Sequence, residues 1–175
     1  MNADNGPEAL VEGAILALNV CPHDIALVGD EPVLRDWLRR KYTGRNGASS
    51  RLSIVHAPDV ISMKDAPKNA VRRRESSVYV AAELVREGKA DGLVSAGNTG
   101  ATMGVCLTRW RTLPGVSRPA IAAVIPAQTN PNVLLDVGAN VDCKPRNLLD
   151  FAVMGSIYAR EILGRRHPRV GLLSI

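Results

Sequence analysis

The chain has 175 residues, of which 46% are hydrophobic and 22% charged, so it is long enough and apolar enough to form a globular domain with a sizeable core. Aromatic residues make up only 3% of the sequence, which disfavours the stacking platform of a single-stranded nucleic-acid-binding protein, and we expect no nucleic-acid partner. The net charge of +5 favours acidic or phosphorylated partners through long-range attraction.

The opening of the chain and its cysteines indicate the compartment. The opening MNADNGPEAL lacks the basic and apolar regions of an export signal, and no stretch approaches the roughly 18 uninterrupted apolar residues of a membrane span. The three cysteines form no C-x-x-C pair, which is typical of a reducing compartment. We therefore expect a cytoplasmic protein without a disulfide framework.

Apolar residues at helical spacing and short apolar runs alternate along the chain. In the first half, this pattern predicts a helix from Gly6 that ends between Asn19 and Pro22, a strand over Asp24–Asp30, a helix from Pro32, a loop over Gly44–Ser50, a strand over Arg51–Ala57 and a helix around Val78–Val85. In the second half, it predicts a strand over Asp91–Gly97, a helix over Thr102–Trp110, strands over Ala120–Ala127 and Asn132–Asn140, a helix over Leu148–Leu163 and a last strand over Arg169–Ile175.

The character of the strands indicates the fold class. Most of them are continuously apolar, which is typical of a sheet buried on both faces. Together with the alternation of helices and strands, this predicts an α/β fold with a mostly parallel sheet and helices on both faces. No internal repeat or low-complexity tract divides the chain, so we predict a single α/β region over residues 1–175. Because the sequence begins almost at a helix and ends on an apolar strand, we expect it to be incomplete at both ends.

The first candidate site is a glycine-rich turn between a predicted strand and a helix. Its glycines let backbone N–H groups approach a ligand, and the helix N-terminus adds partial positive charge, so Gly97-Asn98-Thr99-Gly100 is suited to hold a phosphate or another oxyanion. The glycine spacing matches neither a P-loop nor a dinucleotide fingerprint. The alternative is a tight turn in which Asn98 caps the helix, while Gly100 and Gly104 serve packing.

The second candidate site is the segment DVGANVDCKP, which follows Leu135. Lys144 could neutralise phosphate, Asn140 could donate to an oxyanion, and Asp136 and Asp142 could orient their neighbours. The alternative is ordinary turn chemistry, in which Asn and Asp residues are common. Cys143 is a further candidate, as a nucleophile, although no histidine lies near it in sequence.

Arginines 72–74 precede a predicted helix start, where positive charge is unfavourable for the helix dipole. This placement favours an anion-binding role for Arg74, against the alternative of a solvated face.

Four segments, SAGNTGA, LLDVGANVDCKP, FAVMGSIYAR and MKDAPKNAVRRRESSV, together resemble the phosphate acyltransferase family of bacterial phospholipid synthesis. The resemblance covers nearly the whole chain. It departs from the family at the opening MNADNGPEA, where the family has an Asp-Ala-Met-Gly-Gly-Asp turn, and at Arg74-Glu75, where the family usually has a lysine after its arginines. The chain also stops before the glycine motifs of the family's second half. We therefore expect an amino-terminal half with little or no turnover of its own.

The resemblance implies formation of acyl phosphate from inorganic phosphate and an acyl group on acyl carrier protein, without a redox cofactor or a metal. It implies a fold like that of the isocitrate and isopropylmalate dehydrogenases and of phosphate acetyltransferase. It also implies a homodimer, peripheral association with the inner face of the membrane and a glycerol-3-phosphate acyltransferase downstream. The groups suited to this chemistry are the catalytic candidates Asn98, Asn140 and Lys144, and the phosphate-binding candidates Gly97, Asn98, Thr99, Gly100, Arg74 and Lys144.

Two functions of other classes remain open. A nucleotide-dependent dehydrogenase of similar fold would need a cofactor fingerprint, which the sequence lacks. A non-catalytic scaffold that docks acyl carrier protein would bind its partner without turnover.

Overall fold

The structure is a computed structural model that describes residues 6–41, 48–128 and 130–173. These residues form two compact units, one ending at Arg111 and the other beginning at Thr112. The first unit contains α1 (Gly6–Val20), β1 (Ile25–Gly29), α2 (Glu31–Lys41), a 3-10 helix (Ala48–Arg51), β2 (Leu52–His56), α3 (Pro67–Ala70), α4 (Ser77–Arg86) and α5 (Thr99–Trp110). The second contains β3 (Ala122–Ile125), β4 (Asn132–Leu135) and α6 (Pro145–Glu161). The five predicted helices are confirmed, and α3 is an additional short one.

Strands β1 and β2 pair in parallel, with Ile25 opposite Leu52 at one end. Helix α2 lies in the connection between them, as a parallel crossover requires. A core forms where α1 and α2 pack on this pair, and its buried members are Val11, Leu27 and Leu34. The predicted parallel pairing is therefore confirmed for these two strands. The preceding loop prediction, Gly44–Ser50, falls largely outside the described residues.

A second core of the first unit forms between helices. Helix α5 packs against both α3 and α4. The buried members of this core are Ile61, Ala70, Tyr79, Ala82, Ala101 and Val105. Polar contacts tie α4 to α5 at the edge of the core, because Arg109 pairs with Glu83 and the indole N–H of Trp110 donates to the carbonyl oxygen of Ala82 at 2.9 Å. The start of α5, which carries the first candidate turn, is thus fixed by packing along the whole helix.

The two strands of the second unit are antiparallel, with Ala122 opposite Leu135 and Ile125 opposite Asn132. The predicted sheet is mostly parallel, and this pair is an antiparallel one. The reason is the short connection, residues 126–131, because a parallel crossover needs about a dozen residues or more. Helix α6 packs against β4 and so lies beside the second candidate turn.

Two predicted strands are absent from the described part of the chain. Residues 91–97 are not in a strand, although Leu93 packs against the helical core. Its neighbour Val94 is 98% exposed. Residues 169–173 are likewise not in a strand, and the last two residues of that prediction lie outside the described residues. An apolar run forms a strand only where another strand pairs its backbone groups, and none does so at either segment within the described residues.

The α/β class is confirmed, since helices and strands alternate and one pair of strands is parallel. The described strands form two separate two-stranded sheets, which are smaller than the predicted sheet. Among the helices that the structure describes, none combines the length and the apolar character needed to cross a bilayer.

The close approach of α5 to α3 generates a prediction about two glycines. A Cβ atom at Gly100 would lie 2.7 Å from Cγ of Pro67, whereas one at Gly104 would lie 3.6 Å from Cγ1 of Val71, an ordinary contact. We expect Gly100→Ala to lower the free energy of unfolding by about 1–3 kcal/mol through overpacking. The matched control Gly104→Ala should raise it by about 0.5–1 kcal/mol through helix propensity. Denaturant unfolding measures both, and equal stabilities would contradict the packing argument.

Candidate functional site

The first candidate turn, residues 97–100, is organised by the side chain of Asn98. Its Oδ1 accepts a hydrogen bond from the backbone N–H of Ala101 at 2.9 Å, so Asn98 is the N-cap of α5. Its Nδ2 donates to the carbonyl oxygens of Asp65 at 3.0 Å and of Ser62 at 3.2 Å. The carboxamide therefore joins the start of α5 to the loop before α3, using both its acceptor and its donors.

Backbone N–H groups at the same turn differ in their use. The N–H of Gly97 donates to Oγ of Ser95 at 3.3 Å. Within the described residues, no hydrogen bond uses the N–H groups of Thr99 and Gly100 at the start of α5. These two donors lie at a helix N-terminus, where an anion is favoured.

The arginine segment contains residues with opposite environments. Arg73 donates from Nε to Asp59 at 2.7 Å and from Nη1 to Asp65 at 3.0 Å. Its guanidinium holds the pKa of the Asp59 carboxyl below the ordinary value. Arg74 is exposed, and its side chain has no partner among the described residues. Arg73 therefore anchors the segment, while its neighbour Arg74 keeps its charge available.

The second candidate turn, residues 136–144, is organised by the carboxylate of Asp136. One oxygen accepts from the backbone N–H of Ile121 at 2.7 Å, and the other accepts from the backbone N–H of Asn140 at 2.7 Å. The side-chain Nδ2 of Asn140 also donates to Asp136, at 3.1 Å, and to the carbonyl oxygen of Pro119, at 2.9 Å. Both side-chain N–H groups of Asn140 are thus used, one within the turn and one by the segment before β3, and its Oδ1 is the group left without a partner among the described residues.

The end of this turn carries three exposed side chains, those of residues 142–144. Lys144 is exposed, and its ammonium has no ion-pair partner in the described part of the chain. Asp142 is exposed, and its backbone carbonyl accepts from Arg118 at 3.4 Å. Cys143 is a free, exposed thiol whose Sγ lies 4.0 Å from the carbonyl oxygen of Asn140. Lys144 is therefore the cation of this turn that is open to a ligand.

A buried polar network next to this turn was not predicted from the sequence. Asn147 and Asp150 on α6 are only 5% and 8% exposed. Asn147 accepts from the backbone N–H of Lys144 at 2.9 Å and donates to Oγ of Ser117 at 2.8 Å. Ser117 donates to Asp150 from its hydroxyl at 2.7 Å and from its backbone N–H at 3.2 Å. The one sequence signal was the Asn three residues after Lys144, a spacing typical of a capping box.

The described residues contain no cluster of metal-binding side chains. Among residues 6–41, 48–128 and 130–173, no group of three or more His, Cys, Asp or Glu side chains is placed to hold a metal ion. The imidazole of His56 is used structurally, since its Nδ1 accepts from the backbone N–H of Glu31 at 3.2 Å.

Comparisons with known proteins cover the whole chain. The family model described as fatty acid synthesis protein matches residues 1–175. Three curated relatives are each called phosphate acyltransferase. That of Pelotomaculum thermopropionicum is 50% identical over 99% of this chain, that of Aquifex aeolicus 47% over 100%, and that of Wolinella succinogenes 44% over 99%. The chain spans about half the length of these relatives, 50%, 51% and 51% respectively.

The double use of Asn98 generates a prediction about stability. Asp caps isolated helices as well as Asn does, but a carboxylate in place of the Asn98 amide would face the carbonyl oxygens of Ser62 and Asp65. We therefore expect Asn98→Asp to lower the free energy of unfolding by about 1–3 kcal/mol. The control Asn69→Asp, at an exposed amide without side-chain hydrogen bonds among the described residues, should change it by less than about 0.5 kcal/mol. Denaturant unfolding at neutral pH measures both. Wild-type stability of Asn98→Asp would show that the amide donors contribute nothing.

Proposed function

Because the chain belongs to the family whose model spans all of it, the fatty acid synthesis proteins, we propose that it forms the amino-terminal half of a phosphate acyltransferase. The observation that carries this proposal is the 44–50% identity, over 99% or more of the chain, to proteins called phosphate acyltransferase. The dehydrogenase and scaffold alternatives have no comparable support. In the whole protein, the proposed fold is a mostly parallel sheet with helices on both faces, of the isocitrate dehydrogenase type.

The proposed reaction joins inorganic phosphate to the acyl group of acyl carrier protein. A phosphate oxygen attacks the thioester carbonyl carbon, and a tetrahedral oxyanion forms. The carbon–sulfur bond then breaks, and the leaving thiolate takes up the proton that the phosphate gives up, which yields acyl phosphate and the carrier protein's thiol. Phosphate is a poor nucleophile, so the protein must hold it close and in line, and must stabilise the developing oxyanion. The reaction needs no change of oxidation state.

Each turn supplies groups that suit this task. In the first, the N–H groups of Thr99 and Gly100 at the α5 N-terminus, which no described residue uses, suit a phosphate oxygen, and Gly97 leaves room for it. Arg74 adds an exposed charge from the arginine segment, with no partner in the described part of the chain. In the second turn, Lys144 is the exposed cation. We propose these groups as phosphate-binding residues.

The hydrogen bonds of Asn98 and Asn140 favour a positioning role for both. The donors of each carboxamide are already used within its own turn or the loop packed against it. Asp136 supports this role by orienting Asn140. The oxyanion contact expected of Asn98 and Asn140 stays a prediction, as does the orienting role of Asp142.

The proposed partner is acyl carrier protein, whose acidity suits the net charge of +5 on this chain. A homodimer, peripheral association with the inner face of the membrane and a downstream glycerol-3-phosphate acyltransferase stay predictions.

The reaction type is tested with the whole protein and acyl carrier protein loaded with an acyl group. We expect thiol release to require inorganic phosphate, and an equal amount of acyl phosphate to be trapped by hydroxylamine. Potassium chloride at matched ionic strength is the control and should support only slow hydrolysis. Equal rates of thiol release with phosphate and with chloride would refute the transferase assignment.

The role of Lys144 is tested by its dependence on phosphate. A charge-assisted contact to a partly desolvated anion is worth about 1.5–3 kcal/mol, so Lys144→Ala should raise the KM for phosphate by about 10- to 150-fold. The KM for acyl carrier protein should change little. Arg166→Ala is the control, because Arg166 is an exposed cation of the same unit without a partner among the described residues. It should leave the KM for phosphate within about twofold. A wild-type KM in Lys144→Ala would remove this residue from the phosphate site.

A further inference from the structure

At the start of α6, polar side chains are buried and apolar side chains are exposed, the reverse of the usual arrangement. Asn147 and Asp150 are buried, whereas the leucines between them are more open to solvent, Leu148 at 38% and Leu149 at 55% exposure. Burying an amide and a carboxylate costs free energy unless each is hydrogen-bonded. Here both are, and the Asp150 carboxylate also pairs with Nε of Arg146 at 3.1 Å. A polar network holds its members in one hydrogen-bonded arrangement, which an apolar contact does not do.

The hydrogen bonds of this network have a single possible direction. Two bonds from Ser117 hold the pKa of the Asp150 carboxyl below its ordinary value, so the ionised carboxylate accepts both. The Ser117 hydroxyl has one proton, which it gives to Asp150, and its oxygen then accepts from Asn147. The carboxamide of Asn147 is thereby oriented with its oxygen towards the backbone N–H of Lys144. The series of hydrogen bonds from Asp150 through Ser117 and Asn147 thus fixes one conformation of the backbone at Lys144.

Residues 117–121 brace the second turn at both of its ends. Ser117 reaches its end at Lys144 through Asn147. Pro119 and Ile121 reach its beginning, because the carbonyl oxygen of Pro119 accepts from Asn140 and the N–H of Ile121 donates to Asp136. A five-residue stretch of irregular chain therefore sets the shape of the whole turn, and Ser117 is its only link through a side-chain hydroxyl to α6 within the described residues.

We propose that Ser117, Asn147 and Asp150 are positioning residues that fix the backbone from which Lys144 extends towards phosphate. The proposal rests on the phosphate acyltransferase function and on the role of Lys144 in it. None of the three touches the reacting atoms. Their contribution reaches the phosphate through Lys144, so it disappears when the lysine is absent.

The test uses Ser117→Ala in the whole protein, because Ser117 lies at the surface and its loss leaves no large cavity. We expect the KM for inorganic phosphate to rise on the order of tenfold, with a smaller change in the KM for acyl carrier protein. Ser117→Thr keeps the hydroxyl and should restore most of the phosphate affinity. Ser156→Ala is the matched control on α6, since its hydroxyl bonds only to the carbonyl oxygen of Ala152 in the same helix among the described residues. It should leave the KM for phosphate unchanged.

A double-variant cycle separates positioning from general stability. If Ser117 acts through Lys144, the variant carrying both Ser117→Ala and Lys144→Ala should have the KM for phosphate of Lys144→Ala alone. Additive effects of the two substitutions on the KM for phosphate would overturn the inference. So would a lower melting temperature with an unchanged KM in Ser117→Ala. In both cases, phosphate-dependent turnover by the wild type would still support the proposed function. Thiol release by the wild type that does not depend on phosphate would overturn both.

Discussion

Loops in this protein depend on side chains that satisfy backbone groups left unpaired by any strand or helix. A buried or half-buried N–H or C=O group needs a partner, and a loop has no ladder to supply one. Asn98 meets this need in the first turn, where one carboxamide serves an N–H group and several carbonyl oxygens. Asp136 meets it in the second, where one carboxylate collects the N–H groups of two segments. Thr99 and Gly100, whose N–H groups are proposed to meet phosphate, directly follow Asn98 in the chain.

Charge is divided in the same way between fixed and available groups. Arg73 is held by two carboxylates, and the residue after it, Arg74, is exposed and unpaired within the described residues. A paired arginine fixes the backbone of its segment. The side chain of the next residue, Arg74, therefore extends from a fixed backbone position, and its own charge is not neutralised by any described residue. Lys144 stands in the same relation to Asn147, which binds its backbone N–H, while its exposed ammonium has no ion-pair partner among the residues described. Such preorganisation lowers the entropy lost when an anion binds.

Local signals in the sequence predicted the helices, because spacing, caps and breakers act within a few residues. They failed for residues 91–97, since a strand also needs a partner that periodicity does not show. The candidate turns were predictable from glycine, Asn and Asp placed after apolar runs. The network of Ser117 with Asn147 and Asp150 was not predictable. Ser117 lies 30 residues before Asn147 and 33 before Asp150, and a hydrogen bond over that separation leaves no pattern in the sequence.

The contact between Gly100 and Pro67 links two distant positions of the chain through volume alone. Space at position 100 is limited by the ring at position 67, so the two sites share one volume between them. A larger residue at 100 becomes tolerable only where 67 has lost its ring or α3 has moved away. Among relatives, the residue types at these two positions should therefore covary. A relative without glycine at position 100 should also lack proline at position 67.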